Sequence, residues 1–148
     1  MPRFPSVQWF EAVAAAYTAD REHVKRLGYL ETTVGVLVEA GPSSDGFVLD
    51  FAGYDVRARA SADPAVESDF TIAGDLASWR EMLASIHANG AADLDHTLNR
   101  LTMAGTPLRL AADDQLKLDL FFRLNQSFQA FFDASAGVAT VYASLAPA

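Results

Sequence analysis

Hydrophobic residues recur along this chain first at helical spacing, then at alternate positions, then at helical spacing again. From Pro5 to Tyr17, the residues Trp9, Phe10, Val13 and Tyr17 repeat every three to four positions, and Pro5 and Ser6 are placed to open a helix. Asp20 to about Leu30 predicts a second helix with Val24 and Leu27 inward. The period then drops to two. Val34, Val36 and Val38 share one side of a strand, Gly41 to Gly46 predicts a turn, and Phe47, Leu49 and Phe51 alternate in the strand that follows. Gly53 supplies a tight turn into a third strand, where Tyr54, Val56, Ala58 and Ala60 alternate with Asp55, Arg57 and Arg59. Three antiparallel strands with one wet and one dry face are the economical reading.

Ser68 to Ala73 predicts a short strand with Phe70 and Ile72 inward. Asp75 is then a good N-cap for a helix carrying Leu76, Trp79, Leu83 and Ile86 on one face, closed by Asn89 and Gly90. The segment "LNRLTMAGTPLRLAA" predicts a strand pair or one bent strand, with Leu101 and Met103 inward and Leu108 and Leu110 flanking Arg109. From Asp113 to Phe132 the pattern is helical, and Val138, Val141, Tyr142 and Leu145 predict a final short covering helix. The order of elements predicts an α+β fold with helices packed on one antiparallel or mixed sheet. A single domain over residues 1–148 is expected, its core about 4–132 and its end, 133–148, a covering helix or tail.

The stretch "LFFRLNQSFQAFF", Leu120 to Phe132, holds five of the chain's ten phenylalanines. On a helical wheel advancing about 100° per residue, Leu116, Leu120, Phe121, Leu124, Phe128, Phe131 and Phe132 fall within an arc of roughly 160°. Docking on a core takes only about 100° of apolar stripe. Leu118 and Phe122 lie beyond the arc, leaving Asp119, Arg123, Gln126 and Ser127 as the polar sector, so the helix is expected to be covered on more than one side. Phe121, Phe128 and Phe132 are expected to face the sheet, and Phe122 the last helix or a partner. Three readings of the arc stay open: ordinary core, one wall of a pocket for an apolar ligand, or a face for a partner subunit.

Composition narrows the chemistry. There is no cysteine, which removes disulfides, thiolate nucleophiles and cysteine-ligated metal centres. A net charge of −8 with scattered basic residues argues against a nucleic-acid surface, and the one basic concentration, Arg21 to Arg26, reads as a solvated helix face. No apolar run approaches the roughly 18 residues of a membrane helix, nor does the short run Ala12–Tyr17 make a signal-peptide core. A soluble cytoplasmic protein is expected. His23 reads as a surface residue. His87, Asp93, Asp95 and His96 form the one segment in which metal ligands could converge, but their spacing matches no established site, so no metal and no cofactor is expected. Arg57 and Arg59 read as a solvated stripe. No phosphate loop or nucleophile elbow is present, and no catalytic residue is assigned.

Several segments together resemble the sterol carrier protein type 2 family. They are the tryptophan-bearing first helix "VQWFEAV", the strands of "GFVLDFAGYDVRARA", the strand-to-helix passage "SDFTIAGDLASWREML", and "NRLTMAGTPLRLAADD" leading into an apolar helix. The resemblance runs from about Phe4 to Phe132 and departs from the family where Thr106 and Pro107 follow Gly105. It implies a sheet of about five mostly antiparallel strands backed by helices, with a hydrophobic tunnel between them. On this sequence the tunnel would be lined by Trp79, Leu83, Met103, Leu120, Phe121, Leu124, Phe128 and Phe132. The implied function is the binding or carrying of a hydrophobic small molecule (lipid, sterol, acyl chain or isoprenoid), with a second copy or an enzyme as the partner kept open. The alternative is a small cavity enzyme of the isomerase or cyclase type, whose fold ends in strands, whereas this sequence is expected to end in helices.

Overall fold

A computed structural model of the chain describes residues 1–103 and 106–143. The chain opens with a two-residue strand, β1 (Arg3–Phe4). Ser6 then caps helix α1 (Val7–Ala19), its Oγ accepting from the Trp9 amide at 3.1 Å. Asp20 ends that helix and caps α2 (Arg21–Leu27) in the same way, at 3.2 Å from the His23 amide. Three strands follow, β2 (Leu30–Ala40), β3 (Ser43–Gly53) and β4 (Asp55–Ala60), and then a single helical turn, α3 (Pro64–Glu67). Strand β5 (Phe70–Asp75) runs directly into α4 (Leu76–Asn89) through the Asp75 cap, and Gly90, at φ +81°, ends that helix in the left-handed region. The rest comprises a short helix α5 (Leu98–Leu101), strand β6 (Arg109–Ala112), the long helix α6 (Gln115–Asp133), a 3-10 turn (Ala134–Gly137) and strand β7 (Val141–Tyr142).

The main sheet has the order β4-β3-β2-β5-β6, antiparallel throughout except for the parallel pair β2–β5. Register places Val34 beside Leu49 and Phe70, and Val36 beside Phe47 and Ile72, so these large residues share one face. Helices α1, α4 and α6 close over that face: Phe10 meets Phe47, Trp79 Nε1 donates to the Leu37 carbonyl, and Phe128 meets Phe51 and Phe70. The expected α+β architecture, with about five mostly antiparallel strands backed by helices, is what the chain adopts.

On the opposite face α3 lies close against the sheet, and Gly35 makes the approach feasible. A Cβ there would sit 2.6 Å from Ser68 Oγ, 2.9 Å from Thr71 Oγ1 and 3.0 Å from Pro64 Cβ. Gly35→Ala is therefore expected to cost about 1–3 kcal/mol through overpacking, measured by urea unfolding.

Four local expectations are corrected. Ser43 to Gly46 belong to β3 and not to the turn, which shrinks to Gly41 and Pro42, because β2 and β3 keep pairing as far as Ala40 and Ser43 whatever their side chains. Leu98–Leu101 is helical and not a strand, since Thr97 Oγ1 accepts from the Arg100 amide at 3.2 Å and nucleates a turn. Met103 is half exposed and not inward, because it follows that turn outside any strand. Where a final helix through Val138, Val141 and Tyr142 was expected, β7 instead pairs in parallel with β1, Arg3 beside Val141 and Phe4 beside Tyr142. Trp9 Nε1 secures that end by donating to Thr140 Oγ1 at 3.0 Å. Gly105 and Leu145 lie outside the described residues.

Candidate functional site

Helix α6 begins at Asp114, whose carboxylate accepts from the Lys117 amide at 2.9 Å. The phenylalanines of its apolar arc, Phe121, Phe128, Phe131 and Phe132, are buried and Leu124 partly so, whereas Leu116 in the first turn stands 80% exposed. Phe121 and Phe128 do face the sheet: both meet Phe70 of β5, at ring separations of 5.8 and 5.3 Å, and Phe128 also meets Phe51 of β3 at 5.4 Å. Phe132 turns instead to α4 and lies against Trp79 at 5.6 Å. Phe122 is half exposed, with its ring edge on Phe121. The second covering layer comes from α5 and the loop before it, which α6 holds through two polar residues: Gln129 Oε1 accepts from the Leu98 amide at 2.7 Å, and Asp133 Oδ1 from the Ala92 amide at 3.1 Å.

Of the eight residues expected to line a tunnel, Trp79, Leu83, Phe121, Phe128 and Phe132 are fully buried, Leu120 and Leu124 pack partly buried against the same core, and Met103 stands apart at the surface. The four aromatic ones, Trp79, Phe121, Phe128 and Phe132, belong with their neighbours to one aromatic layer beneath α6, and Leu83 lies in the same core. From Tyr17 of α1 the layer continues through Phe51, Phe128, Phe70 and Phe121 to the exposed Phe122, and in a second row through Phe131 and Phe132 to Trp79.

Tyr17 is also part of the wall of an open-mouthed cavity of about 580 Å³ between α1, α2, α5 and α6. That volume lies within the range of roughly 300–1,000 Å³ typical of small-molecule sites. Its apolar wall comes from Ala16, Tyr17, Leu27, Ala130 and Ala134; its polar rim comes from Asp20, His23, Asn125, Gln126, Gln129 and Asp133, among others. None of the eight expected lining residues borders it. Most of the rim is already engaged within the protein: Asp20 caps α2, Asn125 donates to the Phe122 carbonyl, and Gln129 and Asp133 hold the α5 loop. The Tyr17 hydroxyl differs, being buried with no hydrogen-bond partner among the described residues. Burial pushes its pKa up, so it remains a protonated donor at neutral pH. Sequence reasoning placed Tyr17 inward but had no signal that its hydroxyl lacked a partner.

A second cleft, about 760 Å³, runs between α1 and β3–β4 along Glu11, Ala14, Ala15, Asp55 and Arg57. Its walls are small or charged, and an ion pair between Arg21 and Asp55, at 2.9 Å, joins α2 to β4 close by. Arg57 is exposed, and Arg59 pairs with Glu67 at 3.2 Å.

The histidine-rich segment organises differently from its sequence order. His96 Nδ1 lies 2.7 Å from Asp93 Oδ1 and its Nε2 3.4 Å from Glu81 Oε1 on α4, while His87 is exposed on α4 and Asp95 is exposed in the loop. Among the described residues no group of three or more His, Asp or Glu is arranged to hold a metal ion. The hydrogen bond that His96 donates to Asp93 holds the His96 pKa above the ordinary histidine value, and the same bond holds Asp93 below the usual carboxylate range. The raised His96 pKa gives stability that is complete below the unfolded-state value and is lost as pH rises through the folded one. The depressed Asp93 pKa gives stability that is lost only in acid, as pH falls through its folded value. His96→Gln is therefore expected to lower the urea midpoint most near pH 6 and progressively less towards pH 9, read from unfolding curves across that range.

No protein-family model matches the chain, and no curated protein matches it. Solved structures are similar. A conserved hypothetical protein from Thermus thermophilus, whose description suggests a sterol carrier protein, superposes with a TM-score of 0.66 at 20% identity, covering 92% of this chain and 90% of that one. A crystal structure of sterol carrier protein 2 gives 0.65 at 22% identity, over 90% of this chain and 98% of that one. A ubiquinone synthesis protein, UbiJ-SCP2, gives 0.51 at 19% identity, over 94% and 99%. At these identities the likeness is one of fold, and the chain has the sterol carrier protein 2 fold. Among the described residues no helix is long and apolar enough to cross a membrane.

Proposed function

We propose that this chain binds a hydrophobic small molecule, a lipid, sterol, acyl chain or isoprenoid, with its apolar part beneath α6. The observation that carries the reading is the continuity between the 580 Å³ cavity and the aromatic layer: Tyr17 belongs to both, its ring 6.4 Å from Phe51 and 5.9 Å from Phe131. A ligand entering between α1 and α6 would meet Tyr17 first and then spread the rings of Phe128, Phe121 and Phe132, so that these three residues of the expected lining would line the space once occupied, with Met103 outside it. Parting these edge-to-face rings costs their oriented contacts, about 0.5–1.5 kcal/mol a pair, and each guest methylene transferred from water offsets about 0.8 kcal/mol of that. The fold shared with sterol carrier protein 2 supports the reading. The likeness to a ubiquinone synthesis protein supports a role as an accessory to an enzyme, which takes up or delivers the ligand.

The test is native mass spectrometry of the protein purified from its producing cell, followed by lipid extraction. Recovery of a bound acyl, sterol or isoprenoid species is expected; an empty protein that also fails to bind fluorescent fatty acids and sterols would overturn the proposal.

The competing cavity enzyme draws on Tyr17, His23, Asp20 and Asp133 around one cavity. The expected helical ending no longer argues against it, since the described chain ends in β7. Geometry does: among the described residues no hydrogen bond joins the His23 ring to a carboxylate, and both carboxylates are engaged by backbone amides. A general base with an orienting partner is not assembled there.

A further inference from the structure

The polar end of the ligand can be read from the same cavity, on the basis of the binding function proposed above. Tyr17 is 3% exposed, its hydroxyl has no partner among the described residues, and a buried hydroxyl without a partner destabilises the folded state that contains it. Folded proteins retain few such groups, and one carried by a residue that lines a ligand-sized cavity can meet an acceptor once a ligand parts the wall. The charged groups lining the cavity are two carboxylates, Asp20 and Asp133, beside one histidine, His23. Arg21 of α2 is already paired with Asp55, and neither carboxylate lies within ion-pair distance of a basic group among the described residues. Their engagement with backbone amides leaves their charge in place. The whole chain adds to the effect with a net charge of −8. A carboxylate or phosphate entering between α1 and α6 would meet two like charges before reaching the phenol, whereas an uncharged oxygen would not.

We infer that Tyr17 is a specificity-determining residue whose hydroxyl donates to an uncharged oxygen of the ligand, the cavity selecting alcohols, ketones, quinones or esters over free acids. The hydroxyl is closed off from solvent, so the ligand reaches it only as α1 and α6 part at the cavity. Asp20 and Asp133 supply the exclusion of anions, and Tyr17 supplies the attraction.

The inference gives Tyr17→Phe two effects of opposite sign. Removing the unpaired hydroxyl raises the urea midpoint of the ligand-free protein, and it weakens binding of an uncharged oxygenated ligand about two- to tenfold, the worth of one neutral hydrogen bond. The experiment compares 1-decanol with decanoate, two probes sharing one chain length, by calorimetric titration of the parent, Tyr17→Phe and Asp133→Asn. Amide NMR shifts at Ala16, Gln129 and Ala134 locate the binding. Decanol is expected to bind the parent more tightly than decanoate, Tyr17→Phe to lose most of that difference, and Asp133→Asn to admit decanoate. Decanoate binding the parent as well as decanol, or a Tyr17→Phe that binds decanol as well as the parent does, would overturn the inference while leaving the binding function standing. Failure of both probes to bind the parent would overturn the inference, and the binding function falls with it only if the purified protein is empty and fluorescent fatty acids and sterols fail to bind as well.

Discussion

Phe128→Ala is expected to lose about 3–5 kcal/mol of stability, the ordinary cost of emptying a buried phenylalanine site. Phe128 is 1% exposed and touches three other rings, Phe51 at 5.4 Å, Phe70 at 5.3 Å and Phe121 at 6.1 Å. Two of those rings come from different strands and the third from the preceding turns of α6, so the void cannot close by moving a single neighbour. Urea unfolding measures the loss. The functional account adds a second expectation: an apolar ligand filling the void should restore part of the midpoint, and more of it than in the parent, because binding to the native state alone stabilises by mass action. A Phe128→Ala protein as stable as the parent would show that the aromatic layer is not packed as described.

Trp79→Ala is expected to cost a similar amount, about 3–5 kcal/mol. Trp79 is fully buried, stacks obliquely on Phe132 at 5.6 Å, and donates its indole N–H to the Leu37 carbonyl at 3.2 Å. It therefore joins α4 to both α6 and the sheet. Trp79→Phe separates the two contributions: the ring contact survives in part, while the loss of the hydrogen bond should account for about 0.5–1.5 kcal/mol. If the two variants proved equally stable, the indole would be acting through its hydrogen bond and not through its volume.

Local pattern carried most of the fold. Val34, Val36 and Val38 alternate because one face of β2 is buried, and Leu76, Trp79, Leu83 and Ile86 recur at helical spacing because one face of α4 is; both are visible within a few residues. The failures share a cause. Val141 and Tyr142 form a strand with a partner at the far end of the chain, Arg3 pairing with Val141, and no local period records such a partner. Met103 has a neighbour of the right alternation in Leu101, yet the Thr97 cap turns that segment into a helix first.

The candidate site was legible in part. The wheel of α6 identified the phenylalanines that this helix contributes to the aromatic layer; α5 and its loop cover a second side at Gln129 and Asp133, while Phe122, expected to face a last helix or a partner, is half exposed. The cavity itself lay hidden, because Asn125, Gln126, Gln129 and Asp133 sit in or beside the polar sector of α6, and polar residues on a helix ordinarily mean solvent. Here two of them hold a neighbouring loop and so leave a concave space beside Tyr17. Residue type could not distinguish the two cases, since a glutamine bonded to water and one bonded to the Leu98 amide are written alike.

The most direct measurement of the central claim is an isotope-filtered NOE spectrum of the protein with bound 1-decanol. The account predicts contacts from the ligand methylenes to the rings of Tyr17, Phe131 and Phe128, with the ring shifts of Phe51 and Phe70 displaced as the layer opens. Contacts confined to the exposed side chains Phe122 and Leu116, with the buried rings unmoved, would contradict it.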